Sequence, residues 1–175
     1  MPNLKQTISA HNKSVLKTTN TTSTALTQPK RCNCGPNTVC PLDGNCQASG
    51  VIYQATVTRS DSQRKETYIG LTELTFKTRF NCHTGDFNTK HKKQRNATAL
   101  SQYVWSLKVK NIDYNITWRI VARSQSYSTS TKRCNLCITE KYFIIHKPHM
   151  SSLNHRNELV SGCRHRRKHL LCNVK

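Results

Sequence analysis

The sequence predicts an α/β unit, a small and mostly antiparallel three-stranded sheet flanked by helices. Three observations carry this. VIYQATVT (51–58) and ETYIG (66–70) are β-branched and aromatic runs split by the polar turn SDSQRK, a hairpin pattern. YNITWRIVAR (114–123) alternates, with Tyr114, Ile116, Trp118 and Ile120 on one face. Around these strands, apolar residues recur at helical spacing.

Taken in order, residues 1–31 hold Ser and Thr clusters and basic residues without an acid, and no period of 2 or 3.6. They read as a disordered basic linker. Residues 32–48 are a compact Cys-rich loop punctuated by Gly and Pro. A first helix fits from Thr72, anchored by Leu74, Phe76 and Phe80, and a second through Leu100, Val104 and Leu107. A third spans 134–146, with Leu136, Phe143 and Ile144 as its apolar residues. A short helix and a basic tail (161–175) end the chain, for an order β-β-α-α-β-α-α.

Composition narrows the function. Lys+Arg number 28 against 8 Asp+Glu, a formal charge of +20, so a polyanion is the expected partner and nucleic acid the default. Hydrophobic residues are only 35% of the chain, so a core is drawn from part of it. No apolar run approaches the ~18 residues of a membrane span, and MPNLKQTISAHNK lacks the apolar region of a signal peptide. The expected setting is intracellular and nuclear, with no membrane partner. In such a reducing compartment the nine cysteines read as metal ligands rather than disulfides.

Cys32, Cys34, Cys40 and Cys46 supply four thiolates within a short loop, enough for a closed structural zinc site. Cys134 and Cys137 have ligand spacing, and Cys163 with His165 could complete a second site. Sharing of Cys40 and Cys46 with Cys134 and Cys137 is an alternative, as is Cys137 packing as a small hydrophobe. The acids can be screened singly. Asp61 and Glu66 flank the hairpin turn, Asp43 lies in the Cys loop, Asp86 and Asp113 in loops, and Glu73 and Glu158 on helix surfaces. Glu140 stands apart, at i+4 from Leu136 and i−4 from Ile144, so its carboxylate points toward an apolar face. A carboxylate placed there needs a cation or another partner. No cluster of acids suited to a two-metal nuclease exists.

Val51-Ile52-Tyr53, Tyr68-Ile69-Gly70, Arg79, His83, Glu140 and Asn154 follow one another in an order that resembles the GIY-YIG nuclease family. The first motif reads VIY, with Gly50 just before it. The wording CPLDGNC, YIGLTELTFKTRF, CNLCITEKYFIIH and LNHRNELV is similar to the version in Penelope-like and other retroelement-derived endonucleases. The resemblance covers about residues 50–158. It implies a nuclease domain over 49–160 that nicks DNA by metal-dependent phosphodiester hydrolysis. It also implies a reverse transcriptase domain as neighbour in a longer parent polypeptide.

By this resemblance Tyr53 is the general base or orients the attacking water, and Tyr68 supports it. Arg79 and His83, at i and i+4, grip the scissile phosphate. Glu140 holds one Mg²⁺ or Mn²⁺, and Asn154 braces the site by hydrogen bonds. Taken singly, the tyrosines are ordinary strand residues, Arg79 and His83 a solvated helix face, and Asn154 a helix cap. Lys90, Lys92, Lys93 and Arg95, with Arg164, Arg166, Arg167 and Lys168, are the expected DNA-phosphate contacts, and His91 is a weaker extra candidate. The tail also reads as a nuclear-localisation patch. The alternative function is a catalytically inactive, zinc-containing nucleic-acid-binding module of the same fold.

Overall fold

A computed structural model describes residues 32–62, 64–89, 98–125 and 134–155, together with Gln6 and Ala10. The expected N-terminal linker therefore lies outside the described residues except at those two positions, which are helical and exposed. The final short helix and basic tail lie outside them too.

Three strands form one sheet: β1 (Val51–Arg59), β2 (Lys65–Thr72) and β3 (Tyr114–Arg123). The order is β2-β1-β3, and β1 pairs antiparallel with both neighbours. Helices cover both faces of the central strand β1, and Val51 to Ala55 are all buried. This is why VIYQA does not alternate between apolar and polar residues, Gln54 being its one polar member. Register places Tyr53 opposite Gly70 on β2 and Ile120 on β3, with a bulge in the β1–β3 ladder between Ile52 and Tyr53. Bulges of this kind re-aim side chains.

Successive strand residues point to opposite faces, and two apolar clusters result. On one face Val51, Tyr53, Ala55, Val57 and Tyr68 pack with Phe76 and Phe87 of α1 (Phe76–Asn88) and with Leu100, Val104 and Leu107 of α2 (Ala99–Val109). On the other, Ile52, Ile69 and Leu71 pack with Leu136 and Ile144 of α3 (Asn135–His146). The layers are thus helices, sheet, helix.

Local chemistry fixes the helix ends. Thr75 caps α1 by accepting from Thr78 N, and Thr98 caps α2 by accepting from Ser101 N, each satisfying an orphan first-turn donor. The Thr75 cap moves the start of α1 beyond Thr72, so Leu74 is not an anchor but lies before the helix, 64% exposed. For the same reason Glu73 sits in a bend before α1 rather than on a helix surface. Asp86, expected in a loop, lies within α1 because the helix continues to Asn88. A 3₁₀ turn (Pro148–Met150) follows α3, and the chain then runs along the outer edge of β2. There Leu153 N donates to Thr67 O at 2.9 Å, Thr67 N to Ser152 Oγ at 2.8 Å, and Ser152 Oγ to Glu66 Oε2 at 2.6 Å. Among the described residues, no helix is long and apolar enough to cross a membrane.

Candidate active site and metal centre

Tyr53 is the centre of the first site. Its hydroxyl accepts from Arg79 Nε at 3.0 Å and lies 2.8 Å from His83 Nε2. The direction of the bond between the hydroxyl and His83 Nε2 depends on the imidazole tautomer, and the other ring nitrogen, Nδ1, is buried with no hydrogen-bond partner among the described residues. The Tyr53 ring meets Phe76 edge-on at 5.3 Å and Trp118 at 5.9 Å, and His83 stacks on Phe87 at 5.9 Å. Tyr68 joins from β2, with its ring 6.2 Å from that of His83.

His83 is thus not on a solvated helix face, and it does not reach outward beside Arg79 as expected for a phosphate grip. It is fully buried, and burial together with the Arg79 charge lowers its pKa from 6.5 to about 3. A neutral imidazole wedged behind Tyr53 orients that hydroxyl. Burial also pushes the Tyr53 pKa well above the ordinary value. The charges of Tyr68 and Glu140 add to this, and Arg79 pulls the other way.

The depressed His83 pKa has a consequence for stability. Below pH 6.5 the unfolded chain takes up a proton that the folded chain refuses until about pH 3, so stability falls as the pH drops through this window. Near pH 5 the loss is about 2 kcal/mol. His83→Phe, which keeps a ring in the slot, is expected to remove this share of the pH dependence. Thermal melts of both proteins at about pH 7 and about pH 5 check it, and parallel falls in Tm would exclude His83 as the source.

Gly70 makes room for Tyr53. A Cβ there would lie 2.5 Å from the Tyr53 hydroxyl, 2.6 Å from Cζ and 2.9 Å from Tyr68 Cε1. The tyrosine therefore lies flat over a backbone that carries no side chain. Glu140 rises from α3 in line with Leu136 and Ile144, and all three are buried. It is 2% exposed. Asn154 pairs its amide with the outer edge of β2, Nδ2 donating to Ile69 O at 2.9 Å and Oδ1 accepting from Ile69 N at 2.8 Å. It thus holds the strand residue between Tyr68 and Gly70.

Gln54 and Arg119 were not singled out by sequence reasoning. Gln54 is buried on the α3 side of β1, where its Nε2 donates to Met150 O at 2.8 Å and its Oε1 accepts from Arg119 Nε at 2.6 Å. The available signal was a polar residue in the middle of an otherwise apolar central strand.

The second site is the Cys loop. The sulfurs of Cys32, Cys34, Cys40 and Cys46 all lie within 4.8 Å of one another. Cys34 and Cys46 are 3.8 Å apart, and Cys46 and Cys32 3.7 Å. A tetrahedron with zinc–sulfur bonds of ~2.3 Å has edges of ~3.8 Å, so this cluster could hold a metal ion such as zinc. Positive φ at Asp43 (45°) and Gly44 (91°) shapes the turn after Cys40. Burial opposes ionisation of Cys40, but backbone N–H groups of Leu42 and Gly44 and the thiols of Cys32 and Cys46 outweigh it and bring its pKa to about 6. Hydrogen bonding to Cys32, then burial, then Cys46 push the Cys34 thiol up to about 12. The Cys40 thiolate is therefore the one favoured before a cation arrives.

Cys134 and Cys137 lie in the α3 cluster on the other face of the sheet, with Cys134 buried there and Cys137 packed against it. They are not part of the four-cysteine group. Cys163 and His165 lie outside the described residues, as do Lys90, Lys92, Lys93, Arg95, Arg164, Arg166, Arg167 and Lys168. Compared with known proteins, the chain matches no protein-family model, no curated protein and no solved structure.

Proposed function

We propose that the chain is a metal-dependent DNA endonuclease of GIY-YIG type, derived from a retroelement, that nicks DNA by phosphodiester hydrolysis. One observation carries this reading: a buried tyrosine hydroxyl fixed between an arginine and a neutral histidine. Hydrolysis needs an oriented water, a cation at the phosphoryl oxygens and help for the leaving oxygen. Tyr53 takes the first role. Its raised pKa keeps it protonated at neutral pH, so it aligns the water rather than serving as a preformed base.

Arg79 takes the second role. Among the described residues it spends only Nε on a hydrogen bond, to Tyr53, which leaves the rest of its planar fork for a phosphate. Glu140 offers the oxygen donor that Mg²⁺ or Mn²⁺ takes, and the ion would neutralise charge on the leaving oxygen. Tyr68 and Asn154 hold the β2 side of the site in place. The deciding experiment is relaxation of supercoiled plasmid by purified protein with Mg²⁺. Nicking that stops in EDTA supports the reading, and DNA binding without nicking points to an inactive binding module.

The four-cysteine cluster is proposed to hold zinc. Protein purified under reducing conditions is expected to carry at least one tightly bound zinc per chain. Elemental analysis showing under half an equivalent, with the thiols freely reactive, would reject this. The basic tail is proposed to bind DNA phosphates. Changing Arg164, Arg166, Arg167 and Lys168 together to Ala should lower the slope of log K against log salt by about 3 to 4, at ~0.9 per neutralised phosphate. An unchanged slope would remove the tail from the interface.

A further inference from the structure

The four-cysteine site is joined directly to the start of the helix that carries Arg79 and His83. Lys77 N donates to Cys46 O at 2.8 Å, and Phe76 N donates to Ala48 O at 2.8 Å. Two of the orphan donors of the first turn of α1 are therefore satisfied by the Cys loop, one of them by a cysteine of the cluster itself. The Lys77 side chain makes a second link. Its Nζ donates to Asn33 O at 3.1 Å and to Asn33 Oδ1 at 2.8 Å, and Asn33 lies between Cys32 and Cys34. Gln47 Nε2 donates to the same Oδ1 at 2.6 Å. Leu42 and Ala48 of the loop are buried in one apolar cluster with Phe76 and Tyr53.

Charge points the same way. The first turn of α1 contains no acidic residue, yet it carries Lys77 and Arg79 at the positive end of the helix dipole. Without a counter-charge this arrangement is unfavourable. A divalent ion held by four thiolates has two net negative charges and would supply it. Arg79 follows Phe76 by one turn and His83 by two, so the register and tilt set at Phe76 and Lys77 pass directly to the groups that hold the Tyr53 hydroxyl.

We infer that the four-cysteine metal site is the N-terminal clamp of α1, and that Lys77 is a positioning residue that couples metal binding to the placement of Arg79 and His83 against Tyr53. The consequence for catalysis rests on the nuclease reading, whereas the coupling itself does not. The test uses the full chain with zinc bound and hydrogen exchange as its first readout. Stripping zinc with a chelator under reducing conditions is expected to speed exchange of the Phe76 and Lys77 amides by about tenfold, while Tyr53 and Ala55 amides in β1 stay protected.

Coupling is reciprocal, so Lys77→Met, which keeps helix propensity and removes the ammonium, is expected to weaken binding of Co²⁺ by about tenfold. The Co²⁺ thiolate absorption bands report it. With metal saturating, the same variant is expected to nick with lower kcat and unchanged KM. Unchanged exchange in α1, loss of protection throughout the sheet, or unchanged Co²⁺ affinity in Lys77→Met would each overturn the clamp. A normal kcat with the other two results in place would overturn the positioning of Arg79 and His83. If the wild-type protein does not nick at all, exchange and Co²⁺ affinity still decide the clamp.

Discussion

Replacing Glu140 with Gln is expected to abolish Mg²⁺-dependent nicking while DNA affinity stays equal or rises. Gln keeps the length and shape of the side chain in its buried place between Leu136 and Ile144 on α3. It removes the charge, and with it the hard anionic oxygen that a divalent cation needs. The same charge raises the pKa of the Tyr53 hydroxyl, so its loss also changes the group proposed to align the water. Loss of one preorganised electrostatic contact in a closed site commonly costs about 10²- to 10³-fold in rate. Affinity should not fall, because an acid near a bound phosphate repels it. Circular dichroism and plasmid relaxation on the same sample separate a folding defect from a chemical one. A folded Glu140→Gln protein that binds DNA and nicks at the wild-type rate would make Glu140 a structural residue and leave the nuclease reading without its carboxylate. Arg79→Ala should also lose nicking, but with weaker DNA binding, because it removes the proposed phosphate contact as well as the anchor of Tyr53.

Much of this architecture could be read in the chain because it follows local periodicity. The alternation in β3, the β-branched run of β1 and the i, i+4, i+7 spacing of Leu100, Val104 and Leu107 each reflect one element facing one layer. The burial of Glu140 was legible for the same reason, since it lies on the line joining Leu136 and Ile144. The surroundings of His83 were not. Its slot is built by Tyr53, Phe87 and Trp118, which come from β1, α1 and β3, and no local pattern reports their convergence. The grouping of Cys32, Cys34, Cys40 and Cys46 was legible in their spacing, but the separation of Cys134 and Cys137 from them was not. Spacing allowed Cys134 and Cys137 to share ligands with Cys40 and Cys46, and only the placement of α3 on the opposite face separates them. The pairing of Asn154 with Ile69 depends on a chain segment following the edge of β2, which residue type alone does not announce.

Gly70→Ala is expected to damage stability and activity together, and more than any other single methyl group added to the sheet. The register sets Gly70 directly opposite Tyr53, and the new Cβ would overlap the tyrosine hydroxyl and Cζ at 2.5 and 2.6 Å. Tyr53 cannot simply swing away. Its ring is fully buried, with Phe76, His83 and Trp118 against it, and its hydroxyl is tied to Arg79 and His83. Overpacking of this kind costs about 1–3 kcal/mol, which in a domain of this size lowers Tm by about 4–8 °C per kcal/mol. Whatever relaxation occurs must move the Tyr53 hydroxyl, and a shift of about 1 Å at a reacting centre costs about 10²-fold in rate. Gly85→Ala is the control, because its Cβ would meet nothing within 4 Å and it lies inside α1, where Ala is favoured by about 1 kcal/mol. Adding Tyr53→Phe to Gly70→Ala removes the closest of the overlapping atoms, so part of the stability should return. Nicking should not, since the hydroxyl proposed to align the water is gone. Calorimetric melts and plasmid relaxation on the four proteins (wild type, each glycine variant and the double variant) read all of this. If Gly70→Ala alone melted and nicked like the wild type, Tyr53 would have a second accommodating position, and its fixed hydroxyl could not be the centre of the site.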